Sequence, residues 1–190
     1  MLANVRSPGR LAAQFPPLSG HAPRIDDLKI MVVLHGTAIM HRDALGKARG
    51  ERVRQVIERE ASVRDFSSYV PVGDAARKLR GWAQQGAQIM YMSSHQTDDD
   101  LEKDLEVLRK YGFPQGEVQF RRGGEEYRDA AERVMPDIII EDDCESMGGE
   151  TEMIYPQTET ELRGKIRSIV VKEFAGIDHL PDELSALQAE

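Results

Sequence analysis

Apolar residues in this chain form short continuous runs that alternate with segments of helical periodicity. Strands are predicted at Leu28–Leu34, Gln88–Met92, Glu117–Phe120, Asp137–Ile140 and Ser168–Val171. The first run is apolar at nearly every position, which is typical of a central parallel strand buried on both faces. The pattern therefore predicts five strands with connections long enough to contain helices.

Helical periodicity fills the segments between these strands. Helices are predicted at about 42–60, 74–85, 124–135 and 159–166. Thr97 is predicted to cap a further helix, which carries Asp98–Asp100 in its first turn, where the helix dipole favours negative charge. Its predicted buried stripe consists of Leu101, Leu105 and Leu108.

Strands that alternate with helices of this length indicate parallel βαβ units. We therefore expect an α/β fold, a three-layer α/β/α sandwich with a mainly parallel, Rossmann-like sheet of about five strands. Leu28–Leu34 is expected near the centre of the sheet, between Gln88–Met92 and Asp137–Ile140. Residues 28–190 are expected to form a single domain with a small helical insertion at about 42–72.

Composition narrows the class of protein. The chain has 190 residues, 40% hydrophobic and 31% charged, as expected for one soluble globular domain. Its net charge of −8 argues against a general nucleic-acid binder, because such proteins carry a basic surface. The single cysteine, Cys144, excludes an intrachain disulfide and favours a reducing, cytoplasmic compartment. No membrane segment is expected, since the longest apolar run, Ile30–Leu34, is far shorter than the roughly 20 residues that span a bilayer.

Residues 1–27 differ in composition from the rest of the chain. Pro8, Pro16, Pro17 and Pro23 oppose helix formation, and no acidic residue precedes Asp26. We expect a flexible N-terminal tail. An organelle transit peptide is the alternative, because such peptides are also rich in arginine and poor in acids.

Polar residues directly follow three of the predicted strands. They form the clusters His35-Gly36-Thr37, Ser93-Ser94-His95 and Glu141-Asp142-Asp143. In open parallel sheets, ligands bind outside the carboxyl ends of the strands, at the topological switch point. These clusters are therefore expected at one edge of the sheet and contain the candidate functional residues.

The first cluster carries a resemblance to a known family. Lys29–Met40 (KIMVVLHGTAIM) is similar to the opening of the haloacid-dehalogenase-like (HAD-like) phosphatases, whose first strand ends in D-x-D-G-T. Alignment on the shared Gly-Thr places Val33 at the position of the nucleophilic aspartate and His35 at the position of the acid/base aspartate. The resemblance covers roughly residues 28–172 and implies the fold of the family. Its usual chemistry is not implied, because valine cannot attack phosphorus.

Later residues match the other motifs of this family in order. Ser93 matches the hydroxyl residue that binds a phosphate oxygen, and Arg121 or Arg122 could be the cation that neutralises phosphate charge. Asp142 and Asp143 match the acids that hold magnesium. The segment between the first two motifs is too short for a large cap domain, so the resemblance implies a small cap or none.

The matched residues predict an anion site. The backbone N–H groups of Gly36 and Thr37, the hydroxyl of Ser93 and the guanidinium of Arg122 are donors that suit phosphate oxygens. A tight turn is the structural alternative for the Gly-Thr pair, and capping of the following turn is the alternative for Ser93.

Other residues are candidates for catalysis and metal binding. His35 is a candidate acid/base group, with a structural hydrogen-bonded histidine as the alternative. Asp142 and Asp143 are candidate ligands of Mg²⁺, since hard carboxylate oxygens suit this ion. A zinc or iron site built from His35, Asp142 and Cys144 is conceivable but has no spacing signature. The neighbouring acids are expected to raise the pKa of the Cys144 thiol.

Two hypotheses of function follow. The first is a catalytically inactive HAD-like protein, a pseudoenzyme with a binding or regulatory role, because loss of a nucleophile costs on the order of 10⁶ in kcat. The alternative is a divergent metal-dependent phosphohydrolase, in which metal-bound water replaces the aspartyl nucleophile and His35 transfers protons. A third hypothesis is a structural subunit in which the polar clusters at the strand ends are vestigial.

The expected partner is a small phosphate-bearing ligand or a phosphorylated macromolecule. A homodimer is also considered, since Trp82, Tyr111 and Phe113 lie near predicted helix ends and could form an apolar patch. Burial in the core is the alternative for Trp82.

Overall fold

The middle layer of the fold is a five-stranded sheet. The structure is a computed structural model that describes residues 28–189, so the predicted tail at 1–27 lies outside the described residues. The element bounds in chain order are β1 Lys29–Val33, β2 Ile39–Met40, α1 Arg49–Ile57, β3 Val70–Pro71, α2 Ala75–Gln84, β4 Gln88–Met92, α3 Asp98–Lys110, β5 Glu117–Gln119, α4 Tyr127–Val134, β6 Ile138–Asp142, α5 Thr160–Arg163, β7 Arg167–Val171 and α6 Leu184–Ala189.

The strand order of the sheet is β5-β4-β1-β6-β7, and every neighbouring pair is parallel. The chain leaves β1 toward β4 and β5 on one side, then returns to β6 and β7 on the other. The switch point therefore lies between β1 and β6, where a ligand crevice is expected. The predicted fold class and the central position of the first strand are confirmed.

Helices cover both faces of the sheet because side chains alternate along each strand. Ile30 and Val32 of β1 point into a core shared with α2, α3 and α6. Met31, between them, points into a second core shared with α4. This alternation produces the three predicted layers.

The cap of α3 follows the sequence prediction, whereas α4 begins later than predicted. The Thr97 side chain accepts a hydrogen bond from the Asp100 backbone, as expected of a helix cap. Helix α4 begins at Tyr127 instead of residue 124, because Glu126 and Asp129 form a reciprocal capping box at that point.

The segment at 42–72 is small and partly helical. It contains α1, three short 3₁₀ helices and β3, which pairs with β2 in a two-stranded antiparallel ribbon. A separate small cluster of apolar side chains, which includes Val53 and Phe174, packs it against the domain. Phe66, in its 3₁₀ helix Phe66–Ser68, lines the cavity at the carboxyl ends of the sheet strands.

Residues after β7 also contribute to the main core. This contribution was not predicted from the sequence. Leu184 and Leu187 of α6 are buried in the main core. The indole N–H of Trp82 donates to the Pro181 carbonyl oxygen over 3.0 Å. Trp82 and Phe113 are buried, so the apolar surface patch considered for a homodimer is not formed by these two side chains. No helix within residues 28–189 is long and apolar enough to cross a membrane.

Truncating the buried face of β6 should cost far more stability than truncating the exposed face of β7. Ile139 has no exposed surface, so Ile139→Ala should lower the free energy of unfolding by about 2–5 kcal/mol through lost burial and a cavity. Val170 is 51% exposed, and Val170→Ala should change it by no more than about 0.5 kcal/mol. Urea unfolding of both variants checks this, and similar losses would contradict the assigned layers.

Candidate functional site

A cavity of about 350 Å³ lies at the carboxyl edge of the sheet, where the strand-end rule places it. The residues just past β1 and β4 contribute His35, Ser94 and His95 to its lining. The β6 and β7 side contributes Glu141, Asp142 and Glu173. The three sequence clusters therefore converge on one cavity.

A buried carboxylate organises the histidine side of the cavity. Asp104, on α3, is only 1% exposed. Its Oδ1 lies 3.1 Å from Nε2 of His35, and its Oδ2 lies 3.1 Å from Nδ1 of His95. The Ser93 hydroxyl donates to the same Oδ2 over 2.6 Å. One carboxylate thus fixes groups from the ends of two neighbouring strands.

The protonation of Asp104 follows from these contacts. Burial alone would raise its pKa, but the hydrogen bonds from His35, His95 and Ser93 hold the pKa well below its usual range. The carboxylate is therefore ionised at neutral pH, and both imidazole nitrogens that face it carry a proton.

The second nitrogen of His35 faces a hydroxyl group. Nδ1 of His35 lies 2.8 Å from Oγ of Ser94. Because Nε2–H is directed at Asp104, a neutral His35 has its lone pair on Nδ1 and can accept the Ser94 proton. Ser94, His35 and Asp104 form a continuous hydrogen-bonded chain that begins at the cavity surface.

Aromatic side chains from the 42–72 segment hold the imidazoles in place. The ring centroid of Phe66 lies 4.2 Å from that of His95, and Tyr69 meets His35 edge-on at 5.6 Å. The two imidazole centroids are 4.5 Å apart. The small insertion therefore contributes to the site by packing against its histidines.

The carboxylates on the β6 and β7 side are buried and bonded within the protein. Burial raises the pKa of Glu141 to about 7, although the backbone N–H groups of Ile154 and Tyr155 donate to it over 2.6 and 3.0 Å. Burial also raises the pKa of Glu173, whose carboxylate accepts from the backbone N–H and the hydroxyl of Ser146.

Asp142, the last residue of β6, and Asp143, the first residue after it, point in different directions. Asp142 lines the cavity and accepts from Thr37 Oγ1 at 2.7 Å and from the Cys144 backbone N–H at 3.0 Å. Burial raises its pKa. Asp143 instead accepts from Lys172 at 2.8 Å, and despite partial burial this contact lowers its pKa. The predicted pair therefore does not converge on one space.

The structure places the predicted phosphate donors mainly inside the protein. The Gly36 N–H donates to the Ile39 carbonyl oxygen at 3.0 Å. Thr37 and Ser93 are fully buried, and their hydroxyls donate to Asp142 and Asp104. These residues brace the groups that line the cavity.

Neither predicted arginine lies in the lining. Arg122 is exposed, and the Arg121 guanidinium lies 4.1 Å from the ring centroid of Tyr127, which itself lines the cavity. Arg64, from the 42–72 segment, lines the cavity instead. Its position in a short 3₁₀ helix gave no sequence signal.

Potential metal ligands lie close together on the histidine side of the cavity but not on the β6 side. Among the described residues, His35, His95 and Asp104 form the group of potential ligands whose donor atoms all lie within 4.8 Å of one another. The magnesium set of the HAD-like family does not fit these residues. Val33 offers no ligand atom, Asp143 faces Lys172, and both Asp142 oxygens already accept hydrogen bonds.

The pKa of Cys144 is raised, as predicted from sequence. Burial is the larger cause, and the charges of Asp142 and Glu141 add to it. The thiol is therefore protonated at neutral pH and is a poor nucleophile or metal ligand.

Asp104 was not predicted from the sequence, although its position on the buried stripe of α3 indicates a buried partner. Asp104 lies three residues after Leu101 and four before Leu108, on the buried stripe of α3. Leu105, which was assigned to that stripe, is only half-buried. A charged residue at a core position of an amphipathic helix indicates a buried partner.

The fold resembles solved structures at low sequence identity. No protein-family model matches the chain, and no curated protein matches it significantly. A class C acid phosphatase from Bacillus anthracis, solved with tungstate bound, is 12% identical with a TM-score of 0.51, over 80% of this chain and 69% of that chain. A chain of a Pnkp1/Rnl/Hen1 complex is 11% identical with a TM-score of 0.50, over 86% of this chain. The match covers 52% of that longer chain. These similarities show the shared α/β fold.

Stability should fall as pH rises through the titration of Glu141. Its pKa is about 7 in the folded protein against an ordinary 4.5, so the folded state holds the extra proton between these values. The free energy of unfolding should then fall with rising pH, with a limiting slope of about 1.4 kcal/mol per pH unit from this group. Urea unfolding from pH 4.5 to 8 should give a flatter profile for Glu141→Gln and an unchanged profile for the exposed control Glu150→Gln. Equal slopes would contradict the assignment.

Gly36 should tolerate no side chain, because a β-carbon there meets Asp142. Gly36 and Gly46 both have positive φ, at 90° and 70°, but only at Gly36 would the new Cβ lie 2.7 Å from a carboxylate oxygen. Gly36→Ala should lower the free energy of unfolding by about 1–3 kcal/mol more than Gly46→Ala through overpacking. Equal losses of unfolding free energy, measured by thermal or urea unfolding, would show that the Asp142 carboxylate can shift away from the added β-carbon without loss of stability.

Proposed function

We propose that this chain is a HAD-like protein that hydrolyses a phosphate ester in the cavity without an aspartyl-phosphate intermediate. The observation that carries the proposal is the placement of His35. It occupies the position of the acid/base residue of the family, lines the cavity, and is oriented by the ionised Asp104 at 3.1 Å.

Phosphate is favoured by the donors that line the cavity. Arg64 offers a guanidinium, and Ser94 offers an exposed hydroxyl. Such donors suit phosphate oxygens. The structurally similar acid phosphatase was solved with tungstate, an oxyanion, which is consistent with this ligand class for the fold. A volume of about 350 Å³ suits a small ester or one phosphorylated group of a larger molecule.

His35 supplies proton transfer in this proposal. Asp104 holds the imidazole in the tautomer with its proton on Nε2, so Nδ1 accepts a proton from the attacking group and returns it to the leaving oxygen. The described carboxylates do not form the magnesium set of the family.

Binding without turnover is the second candidate function. The specific observation that favours it is Val33, which lines the cavity at the position of the family nucleophile and offers no reactive atom. A pseudoenzyme of this kind would bind a phosphate-bearing small molecule or phosphorylated macromolecule in a regulatory role.

Turnover of an aryl phosphate distinguishes the two candidates. The full chain should release p-nitrophenol from p-nitrophenyl phosphate, and His35→Gln should lower kcat/KM by about 10²–10⁴ through loss of acid/base transfer. The exposed His179 provides the control variant His179→Gln, which should leave the rate unchanged. If inorganic phosphate shifts the NMR signals of Ser94 and His95 but no turnover occurs, the binding role replaces hydrolysis. Absence of both contradicts a phosphate site.

A further inference from the structure

The hydrogen-bonded chain at the cavity surface assigns a nucleophile to the site. Ser94 Oγ lies 2.8 Å from Nδ1 of His35, and Nε2 of His35 lies 3.1 Å from Oδ1 of Asp104. A hydroxyl in contact with a base, which is oriented in turn by a carboxylate, is the arrangement that activates serine nucleophiles. We propose that Ser94 is the nucleophile of this protein and replaces the missing aspartate of β1. The inference rests on the proposed hydrolysis of a phosphate ester.

The sheet places Ser94 within reach of the ligand space that faces Val33. Strand β4 pairs with β1 in parallel, and Met92 lies opposite Val33 in the register. Ser94 follows two residues later, so its backbone emerges at the same edge of the sheet. Neighbouring strands are about 4.8 Å apart and each strand residue rises about 3.3 Å, so the attacking atom moves by one strand spacing across the sheet and about 6.6 Å beyond the level of Val33.

Other hydroxyl and thiol groups near the cavity are unsuited to this role. Ser93 and Thr37 are fully buried and donate to carboxylates. Ser146 donates to Glu173, and the Cys144 thiol stays protonated. Ser94 differs because its partner is an imidazole nitrogen, which can remove its proton, and because it is exposed.

The proposed reaction has two balanced steps. In the first, Ser94 Oγ forms a bond to phosphorus, its proton moves to Nδ1 of His35, and the P–O bond to the leaving alcohol breaks as that alcohol takes the proton. In the second, His35 removes a proton from water, the water oxygen bonds to phosphorus, and the bond to Ser94 breaks as His35 returns that proton to Ser94 Oγ, which restores both groups. Arg64 lines the same cavity, and its guanidinium can stabilise the charged phosphoryl oxygens.

Asp104 acts in this scheme as a positioning residue. It holds His35 with Nε2 protonated and is itself fixed by the Ser93 hydroxyl and by Nδ1 of His95. Replacement by asparagine removes the charge and allows the wrong imidazole tautomer, which costs serine hydrolases about 10⁴ in rate.

A fluorophosphonate probe tests the assignment on the full chain. Ser94 should form a bond to phosphorus with loss of fluoride, and mass spectrometry should locate the adduct on the peptide that contains Ser94. Ser94→Ala should abolish this adduct, and His35→Gln and Asp104→Asn should slow labelling at least 100-fold. Asp104→Glu should recover part of the rate, which a merely structural role would not predict. The exposed Ser67 supplies the control Ser67→Ala, which should label like the unmodified protein.

The outcomes separate this inference from the proposed function. Turnover of p-nitrophenyl phosphate that depends on His35 but leaves Ser94 unlabelled would overturn the serine nucleophile and retain hydrolysis by water. Labelling of Ser94 without phosphate turnover would overturn the phosphate-ester substrate class. Loss of labelling in a metal chelator would overturn the metal-free relay and indicate a metal ion at His35, His95 and Asp104.

Discussion

The buried carboxylate of Asp104 is the contact on which the histidine side of the cavity depends. An ionised group excluded from water is stable only when several donors surround it. Ser93, His95 and His35 supply those donors from the ends of β4 and β1. The same contacts determine which nitrogen of each imidazole carries a proton, so the packing of α3 and the chemistry at the cavity surface have one origin.

On the β6 and β7 side of the cavity, hydrogen-bond donors also surround buried carboxylates, but there the pKa values rise. Glu141, Asp142 and Glu173 are also buried, but their donors are neutral backbone N–H and hydroxyl groups. Burial prevails there and raises their pKa values, whereas imidazole donors lower the pKa of Asp104. The cavity therefore joins an ionised carboxylate behind two histidines to a set of carboxyl groups inclined to keep their protons.

Much of the fold could be predicted because it depends on local patterns. The apolar run at Ile30–Leu34 indicated the central strand, and the strand-end rule selected all three clusters that meet at the cavity. Side-chain direction was harder to predict. Asp142 and Asp143 are adjacent in sequence, yet only Asp142 lines the cavity. Asp104 depends on contacts between residues far apart in the chain, which single-sequence periodicity does not report.

Valine at position 33 does not exclude nucleophilic chemistry at this edge of the sheet. The carboxyl ends of parallel strands meet there, so a reactive group on β4 can act in the ligand space beside β1. A serine nucleophile requires a base there, since an aspartate is ionised at neutral pH whereas a serine hydroxyl must lose its proton. His35 meets that requirement because it contacts both Ser94 and the Asp104 carboxylate. The imidazole at position 35 and the buried acid on α3 are therefore explained together, because the carboxylate orients the base that the serine requires.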